Sequence, residues 1–267
     1  KIKVQQGFLS LQKTNSIMLE ISKKINHSKP VDGINFYSLK TGVKKFVSFK
    51  GSILGGKVFH NKNKLIPEIL VEMLDKGTIK RNKFEIANIL ENVGGKINFT
   101  PGKYRVFFSG QCLTKDISLI LELISEQLIE PLINEKDLES VKKINIAELH
   151  HLQDDTRTRG MEKFLCYLYP ENHPNRPFGI EKEINEIENI NSEELLKFHN
   201  VNYGLGNMDV CFVGDLDHNN VDKEISKFFK SWQISPLDKS SINLNLNAQV
   251  YSNKSDIVFI PDKTSAD

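Results

Sequence analysis

The sequence predicts an α+β fold in which helices pack on one face of a mainly antiparallel sheet. Three observations support this prediction: strand-like runs come in pairs with turn residues between them, amphipathic runs with helical periodicity lie between those pairs, and the hydrophobic content of 39% is that of an ordinary globular protein. Strands joined by short turns form antiparallel sheets, and such sheets commonly have one face covered and one face open.

The strands are predicted from short apolar runs next to turn residues. Residues 34–39 and 43–54 flank a Thr-Gly pair, and we interpret them as a hairpin whose second strand, 43–54, is an exposed edge. A second hairpin is predicted in KINFTPGKYRVFFSGQCL, where Thr100–Lys103 has the composition of a type II turn. Residues 207–213 supply a further strand.

The helices are predicted from apolar residues that recur every three or four positions. One helix covers PEILVEMLDKGT and ends at Gly77, and a second, at about 81–93, ends at Gly94-Gly95, which suits a left-handed cap. The segment YPENHPNRPFG (169–179) is rich in proline and glycine and is predicted to be a loop. Further helices are predicted at 114–130, 135–153, about 156–169, 192–200 and 218–230.

Composition divides the chain into three segments. Residues 1–30 are polar with one amphipathic run and are interpreted as a linker with a helical portion. Residues 31–236 are expected to form one domain. Residues 237–267 are interpreted as a linker followed by the first strand, DIVFI (256–260), of a following domain. Because the chain begins with Lys1 and no signal-like segment is present, we expect it to be part of a longer protein, and no compartment is indicated.

Charge and cysteine content exclude several classes of function. The 36 basic and 34 acidic residues are interspersed and leave a formal charge of +2, so no nucleic-acid or acidic-membrane partner is expected. No apolar run is long enough to cross a bilayer. The three cysteines form no C-x-x-C pair, and Cys112 and Cys211 are predicted to be buried, inert thiols. Gly51, Gly55 and Gly56 do not fit a dinucleotide-binding loop.

Glu68 and Glu72 are the first candidate site residues. They lie four positions apart on the helix of PEILVEMLDKGT and therefore on one face of it. Helices present paired metal ligands at this spacing, but both residues are carboxylates. The spacing alone leaves three interpretations open: a solvated helix face, an unusual metal site, or the remains of a site that has lost its chemistry.

Several segments in the same order resemble the pitrilysin/insulinase family of zinc peptidases, whose motif is the inverted H-x-x-E-H. They cover about residues 31–236, one complete repeat of that family. The resemblance implies the mitochondrial processing peptidase-like, or LuxS-like metallohydrolase, fold. The segments are MLDKGT, NVGGKINF, EPLINEKDLESVKK, the loop with His173-Pro174, and VCFVGDLD.

The resemblance assigns the family's site positions to four residues. Glu68 stands at the first zinc histidine, Val71 at the general-base glutamate and Glu72 at the second histidine, while Glu148 keeps the glutamate of the third ligand. Valine cannot take a proton from a zinc-bound water. We therefore predict a vestigial site with no catalytic residue and no bound metal, although three carboxylates could also hold a hard cation such as magnesium or calcium.

The same resemblance implies a function. Members of the family enclose a chamber with two or four repeats, of which one carries zinc and the degenerate ones form the opposite wall. We expect this chain to be a non-catalytic repeat, inactive by itself, that helps hold an unfolded peptide by strand addition at 43–54. Its partners would be flanking repeats or a catalytic subunit, together with peptide, and zinc is expected in another repeat. Two alternatives stay open: a scaffold or partner subunit with no peptidase in its own chain, and an enzyme with an altered carboxylate metal site.

Overall fold

A computed structural model describes residues 21–59, 63–170, 173 and 175–235. Most of the predicted N-terminal linker and all of the C-terminal segment 237–267, including DIVFI, lie outside these residues. The division of the chain at residues 30 and 236 therefore stays a prediction. Within the described residues, no helix combines the length and the apolarity needed to cross a membrane.

The strands form one mixed sheet in the spatial order β1-β2-β6-β3-β5-β4. β2 and β6 run parallel, and the other neighbours run antiparallel. The predicted α+β class with a mainly antiparallel sheet is thus confirmed. The strands are β1 (Asn26–Ser28), β2 (Ile34–Lys40), β3 (Phe46–Leu54), β4 (Lys96–Pro101), β5 (Arg105–Leu113) and β6 (Met208–Gly214).

The described helices match the predicted ones closely, apart from one that the sequence analysis missed. That helix, α6, follows the proline-rich loop. Its sequence is strongly acidic, and its three isoleucines were not recognised as an apolar helix face. The helices are α1 (Ile66–Met73), α2 (Lys83–Val93), α3 (Ile117–Ile129), α4 (Glu135–Gln153), α5 (Thr156–Leu168), α6 (Ile180–Glu188), α7 (Ser192–Asn202) and α8 (His218–Phe229).

The predicted hairpin of residues 34–39 and 43–54 is wrong. β6 lies between β2 and β3: it pairs with β2 in parallel, Phe36 opposite Val210, and with β3 in antiparallel orientation. Residues 43–54 are therefore not an edge, because β3 has β5 on its other side. β6, which is distant in sequence, forms the backbone hydrogen bonds with β2 and β3 that the Thr-Gly pair predicted between those two strands.

The edges of the sheet are β1 and β4. β1 has three residues and lies in the segment that the sequence analysis assigned to a linker. β4 has six residues, and among the described residues it pairs only with β5. β4 is therefore the longer of the two edges.

The second predicted hairpin, β4–β5, is confirmed, with Pro101 opposite Val106. Its predicted type II turn is wrong, because Gly102 does not adopt the positive φ that such a turn requires. The tip is instead fixed from outside. The carbonyls of Gly102 and Lys103 accept hydrogen bonds from the backbone N–H groups of Lys57 and Val58, at 3.1 and 3.0 Å.

The core lies between the inner face of the sheet and the helices. Phe36, Phe108 and Phe212 are fully buried in it. Gly51 lies opposite Phe108, and a Cβ at Gly51 would meet that ring at 2.1 Å, so the glycine serves packing. Burial, with a smaller contribution from Asp116, raises the pKa of Cys112 to about 12, in keeping with the predicted inert thiol.

The two helices at the candidate site have well-defined ends. α1 continues into a short 3-10 turn, Leu74–Lys76, and stops at Gly77, whose φ is 126°. α2 starts with a capping box between Asn82 and Glu85. It ends at Gly94 in the left-handed conformation, as the sequence predicted.

Candidate functional site: the degenerate motif on α1

Helix α1 carries three of the four predicted site positions and is packed on nearly every side. Six of its eight residues are buried, and Glu68 and Glu72 are the two that remain partly exposed. Val71, predicted to stand at the family's general-base position, is only 1% exposed and belongs to the hydrophobic core. The helix packs against β4, α4 and α7.

Glu68 is neutralised by a lysine of the same domain. Its carboxylate forms an ion pair with Nζ of Lys57, and both side chains are partly buried. Burial lowers the pKa of Lys57; Glu183 opposes this shift, and Lys103 and Lys64 add to it. A fixed ammonium group therefore stands beside the first ligand position.

Glu72 has a different partner. Its carboxylate accepts a hydrogen bond from Nδ2 of Asn145 on α4, at 2.9 Å. Burial raises the pKa of Glu72; Asn145 and Lys76 oppose the shift, and Glu148 adds to it. Glu148 is thus close enough to act on Glu72 electrostatically, although it lies on the exposed surface of α4.

These residues do not fit the zinc ion of an active family member. A catalytic zinc site uses imidazole or other strong donors together with an open position for water. Here both histidine positions are carboxylates that already have separate partners, Lys57 and Asn145. Among residues 21–59, 63–170, 173 and 175–235, no group of three or more histidine, cysteine, aspartate or glutamate side chains could hold a metal ion.

Neither Lys57 nor Asn145 was predicted from the sequence as a partner of the two glutamates. Asn145 lies three residues before Glu148 and so on the same side of α4, which is a signal that could have been used. Lys57 gave no such signal, because it reaches Glu68 from a separate 3-10 turn, Lys57–Phe59.

The histidine of the H-P loop has a structural role. His173 is buried, its ring stacks on Tyr169 with 4.2 Å between ring centres, and its Nδ1 accepts a hydrogen bond from the backbone N–H of Asn175 at 3.0 Å. His150 is exposed on α4 and contacts Gln153. Neither histidine belongs to a described group of three or more side chains that could hold a metal ion.

Comparison with family models decides the relationship. A model described as insulinase (peptidase family M16) matches residues 53–173, and a model described as the peptidase M16 inactive domain matches residues 189–266. Together they span most of the chain. The chain belongs to the peptidase M16 (insulinase) family. The resemblance inferred from the sequence is thereby confirmed.

Individual relatives agree with this assignment at low identity. An uncharacterized zinc protease of Streptomyces coelicolor is 24% identical over 60% of this chain and 35% of its own length. The β subunit of the mitochondrial-processing peptidase of Caenorhabditis elegans is 23% identical over 66% of this chain and 38% of its own length. The chain thus spans well under half the length of these M16 relatives.

A solved structure shows the same fold. The M16 inactive domain from Pseudomonas fluorescens superimposes with a TM-score of 0.70 at 16% identity, over 79% of this chain and 52% of that chain. This likeness shows a shared fold, and the two family models show that the chain is an M16 peptidase-like domain. Zinc is expected in this family, since relatives are named zinc proteases.

Proposed function

We propose that this domain is a non-catalytic wall of an M16 peptidase chamber and that it binds unfolded peptide by adding a strand to β4. The observation that carries the proposal is the position of β4, which pairs on one side only among the described strands and packs against helix α1. Strand addition at a sheet edge is a common way to bind extended peptides.

The side chains of β4 suit this role. Lys96, Asn98 and Thr100 are exposed, whereas Ile97 is buried and Phe99 is partly buried. The strand is therefore anchored on one face by apolar side chains, while its outer backbone groups stay available. Because those groups recognise any extended backbone, such binding depends little on the peptide's sequence.

A peptide on β4 would lie beside α1 without being cut. The family's general-base position holds the buried Val71, and the first ligand position is occupied by the Lys57–Glu68 ion pair. We therefore expect no peptidase activity from this domain, with zinc chemistry supplied by another repeat or by a partner subunit.

Binding through the backbone can be tested with N-methylated peptides. In an added strand, alternate N–H groups face the sheet and the others face solvent. We expect a short fluorescent peptide, rich in threonine and valine, to bind the chain. Methylating one alternate set of its N–H groups should abolish binding, and methylating the other set should leave it. Equal effects of both sets, measured by fluorescence anisotropy, would contradict strand addition.

A second candidate function is a partner subunit in an assembly whose peptidase lies on another chain. It is favoured by the relative named as a subunit of the mitochondrial-processing peptidase. The presence of an intact H-x-x-E-H repeat in the parent chain would decide against it. The carboxylate metal site is disfavoured by the separate partners of Glu68 and Glu72. Stoichiometric metal in the purified chain, lost on Glu148→Ala, would reverse that judgement.

A further inference from the structure

Four lysines converge near the tip of the β4–β5 hairpin from separate parts of the chain. Lys57 belongs to the 3-10 turn after β3, Lys64 precedes α1, Lys103 lies in the hairpin tip, and Lys182 is in the first turn of α6. We call these four residues the lysine cluster. Nothing in their sequence spacing indicates that they meet.

Direct contacts hold the cluster together. The backbone of Lys57 donates to the hairpin tip, and Nζ of Lys103 donates to Oδ1 of Asn175 in the loop before α6. Nζ of Lys64 and Nζ of Lys182 lie 5.1 and 5.0 Å from the centre of the same ring, that of Phe178. The Phe178 ring thus has two lysine ammonium groups within cation–π distance.

The positive charges of the cluster act on one another. Burial lowers the pKa of Lys64, and Lys182 adds to that shift. Lys103 and Lys64 likewise add to the lowering of the pKa of Lys57. Like charges held this close destabilise the domain slightly unless an anion joins them.

The carboxylates near the cluster balance only part of its charge. Glu68 pairs with Lys57, and Glu183 interacts with Lys57 as well. Lys64, Lys103 and Lys182 form no ion pair with any carboxylate of the part of the chain that the structure describes. Within the described residues, these three ammonium groups have no carboxylate partner, which favours an anionic ligand at this end of β4.

We propose that the lysine cluster binds acidic side chains of a peptide whose neighbouring residues lie along β4. This inference rests on the proposed function, since it takes the peptide to be an added strand that ends at the hairpin tip. It adds a substrate class: extended peptides with an acidic segment next to the strand-forming one. Solvent screens the attraction between these ammonium groups and a peptide carboxylate. The lysine cluster therefore adds little binding free energy but makes the site prefer acidic peptides over neutral ones.

The preference can be measured with two pairs of peptides. Each pair shares the strand-forming segment used above and carries, at its N-terminal or its C-terminal end, either a glutamate block or a glutamine block. We expect one glutamate peptide to bind roughly fivefold to tenfold tighter than its glutamine partner at low salt, and the gap to close as salt rises to about 0.5 M. Equal affinities in both pairs would overturn the inference.

Variants separate this inference from the proposed function. Lys64→Gln/Lys103→Gln/Lys182→Gln should remove the glutamate preference and leave the glutamine peptides bound as before. The matched control is Lys40→Gln/Lys115→Gln/Lys223→Gln, which removes the same charge from lysines that line a separate depression near the far end of the sheet. The control should keep the preference. If no peptide binds any variant or the unaltered chain, the proposed function fails; if binding persists without any glutamate preference, only this inference fails.

Discussion

Helices α1 and α4 carry the residues predicted to stand at the family's zinc-motif positions, but the two helices are packed very differently. α1 buries six of its eight residues, including Val71. α4 has nineteen residues, of which Leu138, Val141 and Lys142 are buried, and Glu148 lies on its exposed side. Because α1 is buried on most sides, we expect its apolar side chains to stabilise the domain whether or not the helix binds a metal.

The largest expected effect tests the packing of α1. Leu70 is fully buried among β-sheet and helix side chains. Leu70→Ala should lower the free energy of unfolding by about 2–5 kcal/mol, because it removes apolar contact and leaves a cavity. Urea unfolding followed by circular dichroism measures this.

The matched change on α4 is Glu148→Ala, at an exposed position. It should change the free energy of unfolding by less than about 0.5 kcal/mol. If Glu148→Ala lowered the free energy of unfolding as much as Leu70→Ala, the contrast between a buried α1 and an exposed face of α4 would be wrong.

An intermediate effect tests whether Glu148 lies where the family places the third ligand. Glu68→His/Glu72→His restores the two imidazoles on α1, and Glu148 already acts on Glu72 electrostatically. We expect this variant to bind zinc about tenfold or more tighter than the unaltered chain, because three protein ligands then converge. Adding Glu148→Ala should remove the gain. Isothermal titration calorimetry measures both.

The control for the zinc experiment is Glu181→His/Asn185→His, which places the same histidine spacing on exposed positions of α6. It measures the affinity of a bare histidine pair. If the α1 variant binds no better than this control, Glu148 does not reach the site and the assignment of the four positions is wrong.

Local signals in the sequence were sufficient for many elements. The C-terminal glycine cap of α2, the β4–β5 hairpin and the periodicity of α1 depend on neighbours in the chain, and each was predicted. The pairing of β2 and β3 depends on β6, which lies more than 150 residues away from both in the sequence. A local turn signal cannot reveal an inserted strand, so the edge was assigned to residues 43–54 instead of β4.

The candidate site shows the same division. The positions Glu68, Val71, Glu72 and Glu148 came from family spacing, which preserves distance along the chain. The partners of the two glutamates could not be predicted from spacing, because Lys57 and Asn145 reach the carboxylates through tertiary contacts. The lysine cluster was invisible for the same reason: its members come from four separate segments.

The smallest expected effect concerns Asp75, just after α1. Burial raises the pKa of Asp75 to about 6, with Lys76 opposing and Glu72 adding to the shift. The folded state then holds the proton more tightly than the unfolded state, so this contribution to stability is present at about pH 4 and is lost as pH rises through about 6. Asp75→Asn should therefore stabilise the domain at about pH 7.5 and not at about pH 4. Neighbouring groups desolvate the carboxyl, but a large part of the Asp75 residue still contacts solvent, which limits the gain to about 1 kcal/mol or less.

Asp137, on the better-exposed helix α4, supplies a control of opposite sign. Hydrogen bonds from Lys83 and then Asn134 lower the pKa of Asp137. Its contribution is present above the unfolded pKa and is lost as pH falls, so Asp137→Asn should weaken the domain at about pH 7.5 and lose that effect in acid. Urea unfolding at both pH values compares the two variants. If Asp75→Asn and Asp137→Asn changed the free energy of unfolding in the same direction at about pH 7.5, the ionised carboxylate of Asp75 would not destabilise the folded state as its raised pKa implies.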